Sequence, residues 1–73
     1  MPLSTPQFDI RNAGDKVIVT VPWRDAEAIQ GYFQRHGVPS VSCWDPAARQ
    51  ARIEVRPGIP AERVREVLHE WLN

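Results

Sequence analysis

The side chains of this chain best suited to chemistry are Cys43, His36, His69 and nine carboxylates. Nucleophilic or acid–base catalysis needs such a group held beside a partner in a pocket, and the spacing supplies no partner. Cys43 alternates in step with Val41, which reads as a small buried hydrophobe on a strand. His36 closes a helix, where an imidazole suits the negative end of the helix dipole, and His69 falls on the polar side of a second helix. No third ligand accompanies the two histidines, and a single cysteine makes no zinc cluster, so no metal is expected. Gly14, Gly31, Gly37 and Gly58 never approach the spacing of a phosphate-cradling loop. Gly31, inside a helix, suggests a close approach of helix to sheet. The chain is therefore expected to be non-catalytic and to need no cofactor.

Size and charge narrow the field further. A chain of 73 residues has room for one core and no second lobe to form a cleft. Such a core supplies only about 3–5 kcal/mol, and small domains commonly add disulfides, a metal or a partner subunit. The first two are not available here, which leaves a partner. Nine Lys and Arg balance nine Asp and Glu, so no overall field draws in nucleic acid or an anionic membrane, and such binding would need a local patch. Met1–Pro6 has neither the charged start nor the apolar run of a secretory signal, and no stretch reaches the roughly 18 apolar residues of a membrane span. A cytoplasmic protein is the expectation. Trp23, Trp44 and Trp71 are many for so small a core to hide.

The elements follow from periodicity. Val64, Val67, Leu68, Trp71 and Leu72 repeat at helical spacing opposite Glu62, Arg63, Arg65, Glu66, His69 and Glu70, which predicts an amphipathic helix beginning near Pro60. A second helix is predicted from about Arg24 to His36, with Ala26, Ile29, Phe33 and His36 on one face and Gly37 as a left-handed cap. Trp23, just after Pro22, is expected to pack on its first turn. Period-two alternation marks strands at Val17–Val21, Val41–Trp44 and Ile53–Val55, and a fourth at Phe8–Ile10 that hairpins through Asn12-Ala13-Gly14-Asp15.

One domain over 1–73 results, of α+β class, with residues 1–6 expected to be flexible. Hairpins and a right-handed connection give ββαββα, with a four-stranded antiparallel sheet in order 1-2-4-3 and both helices on one face. In general architecture this is similar to ferredoxin-like modules, and a shared architecture carries no shared function. The sheet's other face is left open. Cys43 and Ile53 are assigned to the helix side, which requires an odd number of residues between the last two strands. Pro46-Ala47-Ala48 offers no left-handed glycine for a three-residue turn, so five are expected. That register sets Trp44 opposite Arg52 and places Lys16, Ile18, Ser42, Trp44, Arg52 and Arg56 together on the open face. The third strand carries no charge from Val41 to Trp44, whereas the opposite edge has Pro6, Asp9 and Arg11 to discourage pairing. The expected function is a non-catalytic interaction module, contacting a protein partner or forming a homodimer through the open face and strand 41–44. The alternative is binding of single-stranded nucleic acid by Trp44, Arg52 and Arg56.

Overall fold

The computed structural model describes residues 8–73. The expected flexibility of residues 1–6, and the part given to Pro6, fall outside them. Six elements follow one another: β1 (Asp9–Ala13), β2 (Lys16–Pro22), α1 (Trp23–Arg35), β3 (Ser40–Asp45), β4 (Gln50–Val55) and α2 (Ala61–Leu72). The strands form one antiparallel sheet in the order β1-β2-β4-β3, as expected. β2 and β3 both run antiparallel to β4, so they are parallel to each other with β4 between them. By the same reasoning β4 and β1 are parallel with β2 between them. Phe8, at the head of β1, meets Trp71, in the last turn of α2, with ring centroids 6.3 Å apart. The chain thus has the strand order and two layers of a ferredoxin-like βαββαβ unit whose final strand has moved to the front.

Local chemistry explains each join. Ala13 pairs with Lys16, so Gly14-Asp15 is a two-residue turn, and the φ of 71° at its first position is one that glycine takes without strain. α1 ends in a Schellman motif: Gly37 has φ 78°, its N–H reaches the Gln34 carbonyl at 3.4 Å, and the Val38 N–H donates to the Phe33 carbonyl at 2.8 Å. The motif drops Val38 into the core beside Phe33, a position the sequence pattern had not assigned. Val17, Val19, Val21, Ala51, Ile53 and Val55 complete that core from the sheet, with Ala26, Ile29, Val64, Val67 and Leu68 from the helices. Phe8, Ile10 and Trp71 pack around it half-buried.

β3 differs from expectation. It pairs Ser42 with Ile53, Cys43 with Arg52 and Trp44 with Ala51. Asp45 pairs with Gln50, so Pro46–Arg49 is a loop of four residues and not five. The Arg49 N–H closes the turn on the Pro46 carbonyl at 3.2 Å, and Arg49 itself takes the left-handed φ of 56°. Because successive side chains alternate, a slip of one residue turns the whole strand over. Val41 and Cys43, expected in the core, are exposed on the open face, while Ser40, Ser42 and Trp44 turn to the helix side. The reason lies on α1. Its flank above β3 carries Gln30, whose Nε2 donates to the Ser40 carbonyl at 2.9 Å and whose Oε1 accepts from Ser42 Oγ. Valine and cysteine at those positions would leave that amide facing apolar groups without a partner.

Gly31 also departs from expectation. An added Cβ there would meet nothing within 4 Å, and the position two residues from both Ile29 and Phe33 turns it away from the sheet. Replacing Gly31 with Ala should therefore stabilise the domain by about 0.5–1 kcal/mol through helix propensity and a less free unfolded chain. A denaturant midpoint that falls would show that something packs on this side of α1.

Candidate protein-contact edge

The backbone of β3 is the starting point, because it lies at the edge of the sheet and one side of it has no neighbour among the described residues. Its phase is set just before the strand, where the Arg56 N–H donates to the Pro39 carbonyl at 2.9 Å. Antiparallel pairs alternate between bonded and non-bonded residues. Pro39, Val41, Cys43 and Asp45 therefore turn their polar groups towards β4, and Ser40, Ser42 and Trp44 turn theirs outward. Of the outward groups, the Ser40 carbonyl already takes the Gln30 amide. Ser40 Oγ is a buried hydroxyl with no partner among the described residues. No charged side chain stands between Ser40 and Trp44, and charge is a common device for keeping such edges from pairing. On the opposite edge β1 carries Asp9 and Arg11, bridged at 3.4 Å.

Beside this edge lies an aromatic corner. Pro22 pairs with Gln50, and the Trp23 N–H continues the ladder by donating to the Arg49 carbonyl at 3.1 Å. That bond brings the first residue of α1 over the β3–β4 turn. Trp23 meets Trp44 edge to face, with centroids 5.7 Å apart and planes at 80°. The two indoles, Pro46 and Arg49 line a notch open to solvent. Trp23 remains 49% exposed and Trp44 54%, so their contact leaves half of each surface in water. Trp23 stands at the first position of α1, and its aromatic partner is Trp44 of β3.

The residues expected to share one surface are divided between two. Lys16, Ile18 and Arg52 lie on the open face, together with Thr20, Glu54, Val41 and Cys43. Arg56, one residue beyond β4, is exposed and continues that alternation. Trp44 and Ser42 are on the helix side, so the stacking of Arg52 on Trp44 is not formed; Arg52 lies opposite Cys43. Part of the charge on the open face is paired. Lys16 Nζ lies 3.1 Å from Glu54 Oε1, and Cys43 Sγ lies 3.9 Å from the other oxygen of that carboxylate.

No described group of three His, Cys, Asp or Glu residues is arranged to hold a metal. His36 is the C-cap of α1 and stacks on Tyr32 at 4.1 Å, and its carbonyl accepts from Arg63 at 3.2 Å. His69 is exposed on α2. No described helix is long and apolar enough to cross a membrane. Comparison with models of known protein families, with curated proteins and with solved structures finds no match to this chain.

Two measurements check this geometry. Cys43 in the folded protein should react with a small thiol reagent nearly as fast as in the denatured chain, since it is exposed on the open face; strong native protection would return it to the helix side. The perpendicular indoles should also give an exciton-coupled circular dichroism band, which Trp23→Phe and Trp44→Phe should each abolish while the fold remains. A band that survives either change would mean that the indoles are not in contact.

Proposed function

We propose that this chain is a non-catalytic interaction module whose contact surface is the outer side of β3 together with the Trp23–Trp44 corner, and that what it contacts is protein. The observation that carries this reading is the uncharged strand from Ser40 to Trp44 with outward polar groups at Ser42 and Trp44. Such an edge accepts another extended strand through main-chain bonds, with neighbouring side chains conferring selectivity. The aromatic corner supplies what main-chain bonds lack, namely large rigid surface at small entropic cost. Val41, 59% exposed, adds an apolar group on the other side of the same strand. Two exposed Trp and a Val along one uncharged edge form an apolar border such as marks many interaction sites.

Binding of single-stranded nucleic acid draws less support. Stacking and phosphate clamping need the aromatic ring and the cations on one surface. Here Trp44 is on the helix side and Arg52 on the open side, while Lys16 is engaged with Glu54 and Arg11 with Asp9.

Cys43 offers a direct test because it is the sole cysteine and stands next to the proposed contact. A photo-crosslinker attached to Cys43 and activated in a cell extract should yield protein adducts of defined mass, and Ser42→Pro, which removes an outward N–H, should suppress them. Control attachment at an α2 position such as Arg65→Cys in a Cys43→Ser background should not give the same adducts. Adducts to nucleic acid in their place, or none from either position, would overturn the reading.

A further inference from the structure

We propose that the occupant of the β3 edge is a second copy of this chain, paired antiparallel to it about a two-fold axis through Ser42; this rests on the interaction-module reading above. The argument begins with the outward groups. A two-fold axis that makes two β3 strands antiparallel stands perpendicular to the sheet, so both copies keep their helices on the same face. Helix-side residues must then meet helix-side residues, and outward backbone groups must meet outward backbone groups. Both conditions pair even-numbered residues of β3 with even-numbered ones, and only registers centred on a residue satisfy them.

Three centres are within reach, and local features choose between them. Centring on Cys43 sets Ser40 opposite Pro46, which has no N–H, and places Val41 against the Asp45 carboxylate. Centring on Val41 sets Trp44 opposite Val38, whose N–H is already committed to the Phe33 carbonyl at 2.8 Å. Centring on Ser42 pairs Ser42 with Ser42 and, on each side of the axis, Ser40 with Trp44. Each of those residues has an N–H and a carbonyl facing outward, and the Ser40 carbonyl, which already accepts the Gln30 amide, keeps a second lone pair for the Trp44 N–H, so all three pairs can form.

Side chains agree with that register on both faces. On the open face Val41 of each copy lies opposite Cys43 of the other, joining four small apolar side chains into one patch at the centre. At either end of this patch the row runs from Asp45 across the second copy's Pro39 to its Arg56, because Pro39 and Arg56 are bonded neighbours. Opposite charges thus end each row and no like charges face one another. On the helix face Trp44 comes beside the second copy's Ser40, whose hydroxyl is buried and unpartnered among the described residues. Gln30, which holds both Ser40 and Ser42, comes next to the axis, so the two amides meet each other and not an apolar surface.

Sedimentation or light scattering over a concentration series, with a pair of cysteine variants, tests both the occupant and the register. The mass should rise from that of one 8.3 kDa chain to twice that value, and Ser42→Pro should hold it at one chain throughout. Under mild oxidation, Val41→Cys/Cys43→Ser mixed with wild type should form a one-to-one disulfide-linked product, since position 41 of one copy lies opposite Cys43 of the other in a closely spaced pair. Neither protein alone should link to itself. Self-linking of wild type through Cys43 would put the axis at Cys43 and overturn the register. A dimer whose mixed variants do not link, or that Ser42→Pro leaves intact, would place the self-contact elsewhere and overturn the proposal. A chain that stays single at every concentration would overturn it too, and protein adducts from the Cys43 probe would then leave the interaction-module reading standing with a different partner.

Discussion

The four-residue connection between β3 and β4 is the constraint on which the surface of this protein depends. Strand side chains alternate with a period of two, so the parity of one short loop decides which residues of β3 meet α1 and which meet water. Holding Arg49 at a φ of 56° carries a steric cost of order 1–2 kcal/mol for a residue with a Cβ. The arrangement persists because several local contacts depend on it together. The Arg49 carbonyl accepts the Trp23 N–H, Gln50 pairs with Pro22 as well as Asp45, and Ser42 and Ser40 engage Gln30. A loop one residue longer would break the pairing of Asp45 with Gln50 and turn Ser40 and Ser42 away from Gln30.

The same connection helps tie α1 to the sheet. α1 buries Ala26, Ile29 and Phe33 against the sheet, with Gly31 lowering its intrinsic helicity. Its ends are secured by backbone: the Trp23 N–H at the start and the Schellman bonds of Gly37 and Val38 at the finish. The side chain of Gln30 adds a third attachment near the middle. α2 relies instead on apolar burial by Val64, Val67 and Leu68, with Trp71 meeting Phe8 at its far end.

Much of this was legible in the sequence. Both helices carry apolar residues at a spacing no strand shares, Gly37 stands where a left-handed cap is needed, and Val17, Val19 and Val21 leave one reading of β2. Strand order then followed from the hairpins and a right-handed connection through the first helix. β3 was not legible, because its two alternating sets are nearly matched: Val41 and Cys43 on one side, Ser42 and Trp44 on the other. An edge strand half covered by a helix gains little from either choice, so the decision passes to the turn and to Gln30. A left-handed arginine leaves no compositional trace, and a single glutamine on a helix flank reads as ordinary surface. The open-face cluster of Trp44 with Arg52 and Arg56 failed for that reason, and the Trp23–Trp44 contact was hidden by it.

The unlike borders of the sheet have a consequence for how large any assembly can become. A filament built by strand addition needs two competent ends on each unit, one to receive and one to be received. β1 carries Asp9 and Arg11 on its exposed face, whereas β3 carries neither charge nor proline from Ser40 to Trp44. Sheet extension is therefore favoured at β3 over β1. If two copies pair through β3 as proposed, the outermost strand on either side among the described residues is β1, whose charges discourage a further step of the polymerisation that threatens many exposed strands.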